Sequence, residues 1–282
     1  MDSHNPFPQL HQDNLNTPEK LSNVYHDIFD YPLRASDLKK WQVVNPHITL
    51  KGGKSVKINN KDFIKRENRK KISEKKLLIA NKASSLLSKI PTVQFVGITG
   101  SLAMMNSRVG SDVDLLIITK TNTLWLTRSI VYLLLVLFGF AIRKPGDREE
   151  ADRLCINMWL DGSDLIFKKT NSHLRNLFIA HEILQIKPLI NKNKTHEKLL
   201  SENKWVYEYW KGEYKKTEST KLNNNLFVKP VNLIAYYFQK AYMKRKLTRE
   251  VVTPIRAFFH PVDWSKKVEK ELIKRGVKEE AG

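Results

Sequence analysis

The sequence predicts an α/β (α+β) fold with a mixed sheet, preceded by a winged-helix-like module and followed by a helical region. Three observations carry this. From Val93 to Phe167 the text alternates strand, turn, helix, strand, helix, strand, and such alternation argues for helices packed on a sheet. From Pro18 to Phe63 two short helical patterns lead into an alternating segment built around Gly52-Gly53. Beyond Asn171 the pattern is helical to the end. With 282 residues, 41% of them apolar, the chain can bury a real core in one large or two to three small domains. The expected division is a leader over 1–17, the winged-helix-like module over 18–72, the α/β core over 73–170 and the helical region over 171–282.

The start of the chain is polar, carries Pro6, Pro8 and Pro18, and has no apolar run of secretory type, so it reads as a disordered leader of a cytoplasmic protein. Leu21, Val24, Tyr25, Ile28 and Phe29 then recur at helical spacing until Asp30-Tyr31-Pro32 breaks the pattern. Ser36 offers an N-cap to a second short helix carrying Leu38 and Trp41. Ile48 and Leu50, the Gly-Gly pair, then Val56 and Ile58 spell a β-hairpin. The next stretch, 61–89, is densely basic. Its apolar stripe, Leu77, Leu78, Ala80, Leu86 and Leu87, predicts an amphipathic helix N-capped by Ser73 and ending at Ile90-Pro91.

In the core, Val93 to Thr99 and Val113 to Thr119 read as strands, Leu124 to Phe138 as a long apolar helix, and Leu154 to Leu160 as a third strand. The apolar run Ser129 to Ile142 would rise about 21 Å as a helix. A hydrocarbon core is about 30 Å thick, so a buried core helix is expected rather than a membrane span. Trp205, Tyr207, Tyr209 and Trp210 read as core aromatics, although Lys211 beside Trp210 leaves base stacking open. Lys215 to Asn225 reads as a polar loop, and Phe258 to Pro261 as a packed turn. The lone Cys155 excludes an intramolecular disulfide and a cysteine-based zinc cluster, and its apolar neighbours predict a packed core thiol.

The 49 Lys plus Arg residues against 29 Asp plus Glu leave a net charge of +20, which favours nucleic acid, nucleotides or anionic membrane surfaces as partners. Residues 18–76 are the candidate DNA or RNA contact. There Lys65, Arg66, Arg69, Lys70, Lys71, Lys75 and Lys76 continue the charge of the expected wing; a solvated connecting helix is the alternative reading.

One constellation carries chemistry. At Gly100-Ser101 a strand enters a helix, where a glycine permits the tight turn and opening N–H groups face an anion. The Ser101 hydroxyl can add a hydrogen bond to a phosphate oxygen. Ser111-Asp112-Val113-Asp114 follows. Period-two geometry puts both aspartates on one face of the next strand, and paired carboxylates repel unless a divalent cation sits between them. Phosphoryl transfer requires such an anion cradle beside metal ligands.

This pattern resembles the DNA polymerase β-like nucleotidyltransferase superfamily. Gly100, Ser101, Asp112 and Asp114 match its signature residue by residue, Ser111 fills the small position before the first aspartate, and the match spans about Val93 to Phe167. The resemblance implies a nucleotidyltransferase core using Mg²⁺ and an NTP, with Gly100, Ser101 and Ser111 at the triphosphate and Asp112 and Asp114 on metal. It also implies a third carboxylate on a later strand. Here Asn157 stands in that place, and an amide cannot accept a proton. Asp161 shares its parity but lies about 13 Å further on by strand rise. Asn157 or Asp161 is therefore expected to complete the site, or the domain is catalytically degenerate and acts as a nucleic-acid-binding or regulatory protein. His181 and Glu182 on a later helix, and Lys187, Lys192 and Lys194 around Pro188, are weaker candidates that read more readily as solvated side chains.

Overall fold

The computed structural model describes residues 17–51, 56–144, 147, 150–212, 228–244, 250–259 and 263–280. The expected leader, the Gly52-Gly53 turn, the Lys215–Asn225 loop and His260-Pro261 lie outside these, apart from Thr17.

The chain forms a mixed α/β structure around a six-stranded mixed sheet. Its centre is β2 (Val93–Ile98), β3 (Val113–Thr119) and β4 (Leu154–Asp161), all strongly apolar and almost wholly buried. β2 pairs antiparallel with β3, and β3 pairs parallel with β4. The parallel pair needs a crossover, which α5 (Leu124–Leu137) supplies. The edges come from the later chain: β5 (Lys187–Asn191) flanks β2, while β7 (Arg256–Phe258) flanks β4 and carries β6 (Val251–Val252) outside it. The region beyond Asn171, read as helical throughout, thus contributes four strands among the described residues. They are only two to five residues long, too short to establish a period of two.

The N-terminal part also differs from expectation. α1 (Thr17–Asp27) and α2 (Ala35–Lys40) form, α2 capped at Arg34 with the expected cap Ser36 inside its first turn, but β1 (Ile48–Leu50) does not make a hairpin with Val56 and Ile58, which are not in a strand. Its partner is the antiparallel β8 (Val277–Glu279) at the far end of the chain. The N- and C-terminal parts share one core. Leu21, Val24, Leu33 and Trp41 pack with Leu174 and Leu177 of α6 (His173–Leu184), with Trp210, and with Val268 and Leu272 of α9 (Trp264–Lys274).

A single helix joins this core to the sheet. α3 (Asn60–Leu87) runs 28 residues, free of glycine and proline and rich in Lys and Leu. Its N-cap is Asn59, whose side chain accepts from Asp62 N while Asp62 accepts from Asn59 N. Ser73, expected to cap it, sits buried in mid-helix. A cap was misplaced there because the charged first half, Lys61 to Lys71, has no apolar stripe to mark it as helix.

Where the two ends of the chain meet, Tyr25, His26, Trp41, His181 and Trp210 form one cluster of touching rings. His26 Nδ1 lies 2.9 Å from Ser22 O, an obligatory acceptor, so that nitrogen carries the proton. His26 Nε2 is then a lone pair and receives His181 Nε2–H at 3.3 Å. Burial pushes both imidazoles down; for His181, with Lys40 adding repulsion, to about 3. Both rings are neutral in the folded protein and take a proton near pH 6.5 once unfolded, so stability falls as pH drops below about 6.5, by about 1.4 kcal/mol per pH unit for each histidine still neutral in the fold. Denaturant melts between pH 7.5 and 5 should show a steeper acid loss for the wild type than for His181→Phe, which removes one of the two groups. Equal slopes would contradict the assignment.

Candidate metal and phosphate site

The turn at the end of β2 places the first part of the site. Gly100 has φ +60°, the left-handed region that glycine enters without penalty, and a Cβ there would lie 2.7 Å from Asp114 Oδ2. Glycine is required twice over, by conformation and by contact. It opens the four-residue helix α4 (Gly100–Ala103), on which Ser101 is exposed with its Oγ 3.5 Å from Ser107 Oγ.

The connection from α4 to β3 is held from behind by α3. Three positions on one face of that helix reach it: Arg69 donates to Asn106 Oδ1 at 3.2 Å, Ser73 Oγ accepts from Ser107 N at 2.9 Å, and Lys76 binds the turn before Asp112. Lys76 is almost wholly buried, and its ammonium spends its three protons on Val109 O (3.1 Å), Ser111 O (2.7 Å) and Asp152 Oδ1 (2.5 Å). Ser111 closes the same turn, its Oγ accepting from Arg108 N at 3.1 Å. Ser111 therefore shapes the approach to Asp112, and its hydroxyl, used there only as an acceptor, keeps its proton to donate.

Asp112 and Asp114 come together with Cys155, one ligand atom of each lying within 4.8 Å of the others. Cys155 stands opposite Asp114 across the parallel β3–β4 pair. An irregularity follows: β3 advances from Asp114 to Leu116 while β4 advances from Cys155 to Met158, one residue more. Asn157 lies in that extra span, and its Nδ2 donates to Asp114 Oδ1 at 2.9 Å. Burial and the neighbouring Asp112 charge push the Asp114 carboxyl up to about 7. The same burial, with Asp114 and Asp112 beside it, drives the Cys155 thiol upward, so it stays protonated at neutral pH. Asp112 also accepts from Arg143 Nη1 at 2.6 Å, and the other end of that guanidinium pairs with Glu150.

The structure thus unites Gly100, Asp112, Asp114 and Asn157, with Ser101 on the adjoining turn. Asp161 is not among them. It stands opposite Thr119, five residues along β3 from Asp114, which is roughly 16 Å of strand. Its carboxylate is committed there, accepting from Ser163 N and Oγ and from Thr123 N. Its parity matched, but its depth along the strand did not. His181 is spent on His26, and Lys192 on Ser88 O and Ile90 O. Sequence reasoning missed Arg143 and Glu150, whose partners are distant in sequence, and Lys76, read there as part of a DNA or RNA contact, is instead buried under the turn. Cys155 was legible in part, because it shares the parity of Asn157.

The donor set suits a hard divalent cation. Asp112 and Asp114 supply carboxylate oxygens, and Asn157 Oδ1 is buried with no hydrogen-bond partner among the described residues, leaving a neutral oxygen at the same place. Gly100, Ser101, Ser111 and Asp114 open onto a cleft of about 1980 Å³ that continues past Phe178 and Ile179 to Lys168 and Arg256. No protein-family model and no curated protein matches this chain.

Two substitutions test this geometry. Gly100→Ala should cost about 2 kcal/mol or more, from the left-handed backbone and the forced displacement of Asp114, and should weaken divalent-metal binding. Lys76→Met should leave two buried carbonyls unpaired and lower stability by about 2 kcal/mol in urea melts. An unchanged midpoint for either variant would show that the turn is held by something else.

Proposed function

We propose that the chain is a nucleotidyltransferase of the DNA polymerase β-like type, moving a nucleoside monophosphate from an NTP to an acceptor hydroxyl with Mg²⁺. The observation that carries this is the left-handed Gly100 packed under Asp114, with Asp112 two residues before it and Ser101 exposed on the same turn. A capped turn with two incidental aspartates has no need to bury one carboxylate against another. Bound Mg²⁺ would neutralise the triphosphate and align the reacting oxygens.

The chain's own residues do the rest. Asp112 and Asp114 hold the cation, and Asn157 fixes the Asp114 carboxylate by its amide hydrogen bond. The Ser101 hydroxyl donates to a phosphate oxygen. Arg143, already on Asp112, balances the charge of the pair and is placed to meet the anionic substrate. No proton acceptor arises from Asn157, Asp161 is engaged elsewhere and Glu150 is paired with Arg143, so no third carboxylate among the described residues is assigned to the acceptor's proton.

A degenerate domain that binds nucleotide or nucleic acid without transfer is the second reading. It is favoured by the Arg143–Asp112 ion pair and by Asn157 in the acid's place. Lys61, Lys65, Lys70, Lys71 and Lys75 remain exposed along α3 for such binding.

Calorimetric titration of ATP with Mg²⁺ should show binding that Asp112→Ala plus Asp114→Ala abolishes. Transfer of α-labelled nucleotide to an acceptor should fall at least about a hundredfold in Asp114→Asn, which removes a metal-binding charge and keeps the side chain's shape. Absence of metal-dependent ATP binding would sink the transferase; binding with no transfer to any acceptor would favour the second reading.

A further inference from the structure

We propose that the outer face formed by α5 and α8 (Lys229–Met243) is a peripheral docking surface for a bilayer rich in anionic lipid. The proposal stands apart from nucleotidyl transfer and rests on other residues.

α5 buries one face against the sheet through Leu124, Trp125, Val131 and Leu135 and packs beside α8, but its outward face is left open among the described residues. Leu133 and Leu137, with Phe138 just past its end, and Ile234, Phe238 and Tyr242 on α8, are 59% to 78% exposed. The i, i+4 spacing lines each set into a stripe. The two helices are locked together. Asn232 Oδ1 accepts from Trp125 N at 2.8 Å and Leu126 N at 3.2 Å, capping α5 from outside, and Gln239 Nε2 donates to Trp125 O at 2.8 Å. The stripes therefore sit on a fixed platform, and soluble monomers rarely leave apolar area of this kind uncovered.

Charge decides what covers it. Neither helix contains an Asp or Glu. Lys229, Lys240 and Lys244 lie along or beside α8, and Lys144 follows α5. A second copy would bring two such basic rims together in a chain of net charge +20. Anionic headgroups would instead meet the rim while the acyl boundary takes the stripes, with the tyrosine phenol at headgroup level. Among the described residues no helix is long and apolar enough to cross a membrane, so the contact is one of lying on the surface.

Co-sedimentation of the full chain with vesicles of phosphatidylcholine mixed with phosphatidylglycerol should capture it, whereas phosphatidylcholine alone should not. Leu137→Glu plus Phe238→Glu, both at exposed positions, should weaken capture at least about tenfold with an unchanged melting temperature. Lys240→Gln should erode the preference for anionic lipid. Failure to bind the mixed vesicles, or full capture of the double variant, would overturn the proposal, the latter by assigning binding to diffuse charge. A dimer in sedimentation velocity that the double variant dissociates, with no vesicle binding, would assign the face to a second copy.

Discussion

The buried ammonium of Lys76 is the contact on which the rest of this structure turns. A lysine loses strong hydration on burial and is retained only where every donor is used; here two carbonyls and a carboxylate take all three protons. Those carbonyls belong to the turn that delivers Asp112, so the cost of burying the charge is tied to the position of the site. The helix that carries Lys76 is about 42 Å long and serves both halves of the molecule. Near its start Arg66 binds Asp37 and Pro32 O and lies over the Tyr31 ring, joining the N-terminal helices. Near its end Ala80, Ala83 and Leu87 enter the sheet core.

The candidate site itself is a place of opposed charges under partial cover. Two carboxylates share a pocket with a thiol, and Asp114 responds by holding its proton up to about pH 7. Arg143 relieves Asp112 from one side and Asn157 bonds Asp114 from the other. Such an arrangement costs folding energy that an apolar replacement would not, and structures keep costs of that sort where ligands bind. The Gly100 backbone points the same way, since its conformation and its contact with Asp114 both serve the site rather than the core.

The excess positive charge is divided between two uses. Some of it is internal mortar: Arg66, Arg69 and Lys76 on α3, and Arg128 against Gln239 and the rings of Trp125, Tyr132 and Phe259. The remainder is spread over the surface, on the outer side of α3 and around the apolar stripes of α5 and α8. A charge count alone cannot separate the two, because guanidinium and ammonium groups reach as readily inward to backbone carbonyls as outward to phosphates.

By itself the sequence determined the local elements and the paired motif. The strands Val93–Ile98 and Val113–Thr119, the helix after them and the Gly100-Ser101 turn follow from apolar runs and a glycine, all signals that span a few residues. The placement of Asp112 and Asp114 on one face follows from the period of a strand. Only tertiary structure decided the rest. The pairing of β1 with β8, the insertion of Lys76 under the turn and the hold of Arg143 on Asp112 join residues far apart in the chain, and no local periodicity encodes such pairs. The fate of the two candidate third ligands was decided the same way. Asn157 and Asp161 have equal parity, but parallel pairing and one extra residue in β4 bring Asn157 to Asp114 and leave Asp161 at the far end of the strand, because register is a property of two strands and not of one.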